Sequence, residues 1–372
     1  MRCDPVDRNA EASAQACQSM MCGCGSRRSF LKSFTAFGAS TIAAPAVWAQ
    51  GSPAPTPALA AKPHRIDIHH HFYPPAFIAE FDKSNERVAG VAKTWTIAKA
   101  LDEMNRGGVA TALWSIPFRQ PKALDAEGTR KVTRLVNDYA AQGIKDNPGR
   151  FGLLAYLPLP DVDGALKEIE YALDVLKADG IGLFASYDDK WLGDDAFKPV
   201  MEELNRRKAV VYVHPLSPQC CGNLMSYVPA SFAEYPQDTN RTVLSLLFSG
   251  TFSRLPDIRW IFSHGGAAVP LLAGRVTALA KSLYPKLTEM APNGVDHELR
   301  RLHYETANAA YPTNMTALLK YVPLSQVMFG TDYPYIPITE NVSDMLKVGL
   351  SAAELKAIDN ENALRLIPRL KA

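Results

Sequence analysis

The sequence predicts an α/β chain closed into a (β/α)8 TIM barrel, one catalytic domain, and three observations carry that prediction. From Arg65 onward, short apolar and β-branched runs alternate with amphipathic stretches, the pattern of a parallel sheet whose crossovers are helices. The runs are almost continuously apolar, as strands are when helices cover them from outside. Eight such units are present, the number at which a parallel sheet closes into a barrel.

Taken in order, the predicted strands are Arg65–His71, Ala110–Ile116, Phe151–Leu157, Gly180–Phe184, Val210–His214, Arg259–Ser263, Leu302–Thr306 and Gln326–Gly330. Helical stretches between them include Thr129–Asn147, Gly164–Lys177, Phe197–Lys208, Thr239–Ser249 and Ala268–Ser282. A doubly wound open sheet is the structural alternative, but it usually carries a glycine-rich phosphate loop after its first strand. Here the first strand ends in three histidines followed by Phe72-Tyr73-Pro74-Pro75. No internal repeat suggests a solenoid.

The 372 residues are 47% apolar and 21% charged, an ordinary globular composition. Length alone allows two or three domains, yet α/β barrels run past about 250 residues as one unit. The formal net charge is +2. Arg2, Arg8, Arg27, Arg28 and Lys32 stand against Asp4, Asp7 and Glu11 in the first 49 residues, which leaves the remainder formally neutral. No basic stripe marks a nucleic-acid surface. Of six cysteines, Cys3, Cys17, Cys22 and Cys24 precede the barrel, and Cys220 and Cys221 are adjacent. Adjacent cysteines rarely pair with each other, so no disulfide framework is expected.

Ser26-Arg27-Arg28-Ser29-Phe30-Leu31-Lys32 resembles a twin-arginine export signal, with Met20 or Met21 as alternative starts. A weakly apolar stretch from Ser33 to Trp48 follows, then Val47-Trp48-Ala49, a small-residue cleavage site. The stretch is too short and too weak for a stable membrane span. Residues 1–49 are therefore expected to direct the protein to the bacterial periplasm or outside the cell, as an address rather than an anchor. Residues 50–63 read as a Pro/Ala-rich linker and 64–372 as the barrel.

Five of the eight histidines sit at the carboxyl ends of predicted strands: His69, His70, His71, His214 and His264. Loops converge at that end of a barrel, and active sites lie there. His69 and His71 are two apart on a strand, so both point to one face, with Cβ atoms roughly 6–7 Å apart, close enough for their imidazoles to meet at one ion. His70 points the other way. Each further position has an ordinary alternative: His214 as a core histidine, His264 as a cap on the following helix, Asp332 as a turn residue before Pro334. Their placement at strands one, five, six and eight argues for a shared metal site.

The motifs Asp67-Ile68-His69-His70-His71, Tyr212-Val213-His214-Pro215, Leu246-Leu247-Phe248-Ser249-Gly250, Phe262-Ser263-His264-Gly265-Gly266, Gly330-Thr331-Asp332-Tyr333-Pro334 and Asn362-Ala363-Leu364-Arg365-Leu366 occur in this order. As a set they resemble the amidohydrolase superfamily, in the amidohydrolase-related branch that includes aminocarboxymuconate-semialdehyde, 6-methylsalicylate and γ-resorcylate decarboxylases. The resemblance implies that His69, His71, His214 and Asp332 bind metal and that His264 is catalytic. Binuclear members often bridge two metals with a carboxylated lysine at the end of strand four. Here that strand reads Gly180-Ile181-Gly182-Leu183-Phe184, so one metal is expected, Zn²⁺ first and Mn²⁺ second.

A divalent ion serves either decarboxylation or hydrolysis. Non-oxidative decarboxylation of an aromatic or unsaturated carboxylic acid is the first expectation. His264 would move the proton, and Asp332 is the second candidate carrier. Arg119, after strand two, is a candidate for the substrate carboxylate, or else a solvated loop arginine. Phe72, Tyr73, Trp191 and Tyr333 are candidate walls for a flat substrate. Hydrolysis of an ester, lactone or amide is the alternative, and a non-catalytic scaffolding barrel is a third reading. Resemblance to the branch implies a homodimer.

Overall fold

A computed structural model describes residues 63–371 apart from 223 and 226. The expected export signal, and the linker up to residue 62, lie outside the described residues. Eight parallel strands form one sheet: β1 (Arg65–His71), β2 (Val109–Ser115), β3 (Phe151–Tyr156), β4 (Gly180–Phe184), β5 (Val210–His214), β6 (Arg259–Phe262), β7 (His303–Glu305) and β8 (Val327–Met328). Each pairs with its sequence neighbour. The chain leaving β8 closes the ring against β1. Ile68 N donates to Phe329 O (3.0 Å), Asp332 N to His69 O (2.8 Å) and His71 N to Tyr333 O (2.8 Å). The expected barrel is the observed one.

The core separates into an inner and an outer layer. Inside the barrel lie Ile66, Ile68, Leu113, Leu154, Val210, Tyr212, Ile261 and Met328, in one cluster with Ala363, Leu366 and Ile367 of the C-terminal segment. The alternate residues, such as Trp114, Leu153, Val211, Val213 and Phe262, pack outward with the helices. On β4 the inner positions fall to Gly180 and Gly182; a Cβ at Gly180 would run into Val210 of β5.

β1 breaks this alternation. Its register against β2 slips between Asp67 and His70, three residues on β1 spanning the two from Ala112 to Trp114. Ile66 and Ile68 point inward, so strict alternation would turn His69 and His71 outward. The extra residue re-aims the strand, and His69 lands with its ring 5.4 Å from inward-facing Tyr212. Asp67 holds the bulge to the closing segment. Its carboxyl accepts from His69 N (3.1 Å), Thr331 N (3.1 Å), Thr331 Oγ1 (2.6 Å) and His70 Nδ1 (3.0 Å).

Several elements differ from expectation for local reasons. β8 is shorter because Phe329 N already bonds Ile358 O (3.0 Å) instead of extending the ladder. The helix after β5 spans Ala230–Phe248 rather than starting at Thr239, and it contains Pro236. The helix after β3 runs Val162–Glu170 and then widens through Tyr171–Val175. A hairpin, Ser186–Tyr187 against Lys190–Trp191, follows β4. Among the described residues no helix is long and apolar enough to cross a membrane.

Asp67→Ala removes an acceptor for four donors at the barrel closure, three of them wholly buried backbone or imidazole groups. It is expected to lower folding stability by about 3–5 kcal/mol, read from the urea midpoint at constant slope. A loss below about 1 kcal/mol would show that the closure is held elsewhere.

Candidate metal centre

β1 delivers His69 and His71, β5 delivers His214, and the turn after β8 delivers Asp332. All four are buried, and one ligand atom from each lies within 4.8 Å of the others. His69 Nε2 is 3.0 Å from His71 Nε2. Asp332 Oδ1 stands 3.0 Å from His71 Nε2 and 3.2 Å from His69 Nε2. The loops that bring these groups together turn through left-handed backbone at His264 (φ 54°), Ala267 (φ 55°), Asn308 (φ 54°) and Asp332 (φ 62°). Asn, Asp and His are enriched in that conformation and Ala is not, so the backbone strain falls mainly on Ala267.

The outer nitrogens define what the inner ones present. His69 Nδ1 donates to Glu305 Oε1 (2.8 Å). His71 Nδ1 faces the Ser115 carbonyl (3.3 Å), a group that only accepts. Both rings therefore turn Nε2 toward the centre. A carboxylate beside a metal-ligating histidine fixes its tautomer and orientation in just this way. Glu305 also accepts from His264 N (2.7 Å) and Ala307 N (2.6 Å). At Gly330 a Cβ would overlap the Glu305 carboxylate and crowd His69, so glycine is required there. Asn308 Nδ2 donates to the second oxygen of Asp332 (2.7 Å).

Two nitrogens and a carboxylate oxygen this close need a positive charge among them. Burial opposes the His69 imidazolium, but the Glu305 and Asp332 charges outweigh it and raise the group to about 10. Burial, together with the charge on His69, pushes His71 down to about 4 despite its hydrogen bond to Asp332. His214 is driven well below the usual range by burial and then by His71 and His69. Burial would raise Asp332, yet His69 and His71 hold it well below the usual carboxylate range. His214 Nδ1 is buried without a hydrogen-bond partner. Three imidazoles and one carboxylate, with an unsatisfied nitrogen among them, fit a single divalent ion. Phe184 stands beside His214 at the end of β4, and no lysine offers a bridge to a second ion there. His69, His264 and Glu305 also cluster, but Glu305 is already occupied by three N–H donors, so this group orients the centre.

The remaining sequence-predicted residues separate. His264 places its ring 4.9 Å from that of His69 and 5.8 Å from that of His214. Its Nδ1 is 3.1 Å from Ala307 O, which leaves Nε2 free. Tyr73 lies beside the centre. Phe72 does not: it stacks on Trp114 in the outer layer (5.1 Å, 15°), since it follows His70 on the outward face. Tyr333 is likewise turned outward, its ring against that of His70 (4.8 Å). Neither walls the site. Trp191 donates to buried Asp238 (2.8 Å) and secures the hairpin. Arg119 contacts Asp188 at 3.3 Å and lies over the Tyr187 ring. Cys220 and Cys221 are free thiols, Cys220 exposed. Sequence reasoning missed Glu305, Asn308, Tyr235 and Tyr335. The Tyr335 ring is 5.9 Å from that of His71, and the Tyr235 ring 6.3 Å from that of His214. Glu305 had a readable signal, a carboxylate ending an apolar barrel strand.

An amidohydrolase family model matches residues 66–369. The chain is 36% identical over 327 residues to decarboxylase yanB of Aspergillus niger, covering 82% of this chain and 88% of that protein. It is 31% identical over 316 residues to the 6-methylsalicylic acid decarboxylase of Penicillium expansum, covering 82% and 97%. The fold superposes on a crystal structure of dihydroxybenzoic acid decarboxylase from Polaromonas sp. JS666, with bound manganese and the inhibitor 2-nitroresorcinol. There the TM-score is 0.68 and the identity 19%, covering 83% of this chain and 98% of that one.

The ion-free centre holds a proton on His69 up to about pH 10, while His71 is neutral above about pH 4. A cation takes the place of that proton, so uptake at pH 7–8 is expected to release about one proton per ion. Affinity then rises with pH until His69 deprotonates. Calorimetry in buffers of different ionisation heats measures this. Zero protons, or three, would contradict the charge state derived above.

Proposed function

The chain belongs to the amidohydrolase family, and from that premise we propose that it is a metal-dependent, non-oxidative decarboxylase of an aromatic or unsaturated carboxylic acid of the 6-methylsalicylate type. One observation carries the reading: a buried three-histidine, one-carboxylate centre in a chain that aligns along 82% of its length with decarboxylases. Hydrolysis is not favoured by these relatives.

His69, His71, His214 and Asp332 would hold one divalent ion, with manganese and zinc both suited to the donors. Such an ion, when bound, draws electron density from substrate oxygens. The chain's own residues do the rest. In decarboxylation a C–C bond breaks, its electron pair stays with the ring or olefinic carbon, CO₂ leaves and that carbon keeps a proton. The proton carrier needs a free nitrogen beside the centre and access to solvent. His264 supplies both: Nδ1 is engaged by Ala307 O, Nε2 is free, and the residue is only partly buried. With Nδ1 held by Ala307 O, Nε2 is the atom that would pass the proton to the substrate carbon and recover it from solvent. Asp332 is the poorer carrier. It is held ionised, with one oxygen facing two imidazoles and the other accepting from Asn308. Arg119 would have to exchange Asp188 for a substrate carboxylate. Twin-arginine export to the periplasm belongs to the same reading, supported by Arg27-Arg28 and the apolar stretch after them. Homodimeric assembly rests on family resemblance.

Metal-loaded protein is expected to release CO₂ from 2-hydroxybenzoates in step with the decarboxylated phenol, and to leave lactones intact. Chelator abolishes turnover. Lactone hydrolysis without CO₂ release would overturn the proposal. His264→Asn keeps a side chain that accepts left-handed backbone but removes the proton carrier. It is expected to lower kcat by about 10²- to 10⁴-fold with metal content unchanged.

A further inference from the structure

Two of the three imidazoles at the centre are oriented by hydrogen bonds on Nδ1: His69 by Glu305 (2.8 Å) and His71 by the Ser115 carbonyl (3.3 Å). His214 has no such tie, because its Nδ1 is buried without a partner. Beyond ring contacts with His69, His71 and Tyr235, its aim comes from the backbone that carries it. On the entering side β5 is fixed in the sheet, and His214 O accepts from Ala185 N (2.9 Å). On the leaving side Pro215 has no N–H, so Leu216 N is the first backbone donor beyond His214. It goes to a side chain, donating to Asp238 Oδ2 (2.9 Å).

Asp238 lies on the Ala230–Phe248 helix and is 0% exposed. Its carboxylate also accepts from Trp191 Nε1 (2.8 Å) and Ser186 Oγ (3.3 Å) of the hairpin after β4. The hairpin has further ties to the same helix: Leu192 N donates to Thr242 Oγ1 (3.3 Å) and Gly193 N to Ser245 Oγ (3.2 Å). Asp238 thus differs from Thr242 and Ser245 in one respect. It alone of the three also holds the chain that leaves a metal ligand.

We propose that Asp238 is a positioning residue of the metal centre, which holds Leu216 N, fixes the turn out of β5 and so aims the His214 imidazole at the ion. The inference rests on the metal-centre part of the proposed function and not on the reaction. The test is zinc binding to the metal-free full chain, measured by calorimetry without substrate, with circular dichroism to show that each variant is folded. Asp238→Ala is expected to weaken zinc binding by about 10- to 100-fold, as losing the support of a metal ligand does. Trp191→Phe gives up one hairpin bond and leaves Leu216 N its acceptor, so its affinity stays within about threefold of wild type. Asp238→Asn has one acceptor oxygen and one NH₂, and cannot serve both Trp191 Nε1 and Leu216 N. Combined with Trp191→Phe, the amide oxygen is free for Leu216 N. This double variant is expected to bind zinc several-fold more tightly than Asp238→Asn alone and close to wild type, although the carboxylate charge is gone. General loosening would instead make the second substitution add to the loss.

Undiminished affinity in Asp238→Ala would overturn the assignment. Trp191→Phe as weak as Asp238→Ala would place the cause in the hairpin, and a double variant as weak would place it in the charge; either result overturns it too. If Asp238→Ala does not fold, the order of Asp238→Asn and the double variant decides, and equal or reversed affinities count against the proposal. Wild type that takes up no zinc would sink the metal-centre reading and this inference together. Absence of CO₂ release, with the affinities as expected, would sink the decarboxylase reading alone.

Discussion

The centre needs a buried positive charge, and much of the surrounding structure follows from that need. His69, His71, His214 and Asp332 crowd their donor atoms within 4.8 Å of one another. Without a cation or a proton among them, nitrogen lone pairs and a carboxylate would face each other in a low-dielectric interior, where repulsion is strong. The ion-free protein meets the need with a proton on His69. That proton is stable because Glu305 and Asp332 stand on either side of the ring. The same two carboxylates make the place attractive to a metal ion.

Holding four groups at one point is a problem of backbone geometry, and the barrel solves it with local exceptions to its own regularity. The bulge in β1 turns His69 and His71 inward after Ile66 and Ile68 have already used the inward face. Gly330 leaves room for the Glu305 carboxylate. Ala267 takes a positive φ, which only a strongly determined setting tolerates. Asp67 links these exceptions, since one carboxyl ties the bulge to the segment that carries Asp332. The strained end of the barrel is opposite the end sealed by Ala363, Leu366 and Ile367, where regular apolar packing is undisturbed.

The fold was legible because period and composition report burial, and burial is what strands and crossover helices share. The ligands were legible for a narrower reason: histidines and an aspartate at strand ends stand out against apolar runs. What stayed hidden depends on backbone register. Period-two alternation relates His69 correctly to His71, yet it does not reveal the bulge that places both inside. Adjacency along the chain misleads for Phe72 and Tyr333, which sit next to ligands in sequence and face the helices in space. Tyr235 and Tyr335 reach the centre from a helix and a turn, and no spacing rule links them to His214 or His71. The full length of the Ala230–Phe248 helix was hidden by Pro236, a residue that ordinarily argues against a helix interior.

Charge balance at the centre limits how a substrate is recognised. Asp332 and Glu305 together offset a divalent ion, so an arriving carboxylic acid meets a centre with little net charge. Beyond the ion itself, its affinity and orientation would draw on hydrogen-bond donors placed around the mouth. Imidazoles that are spent as ligands cannot provide them, and Asn308 is committed to Asp332. The donors left are a guanidinium that already holds Asp188, the His264 imidazole and the tyrosine hydroxyls around the ligand shell.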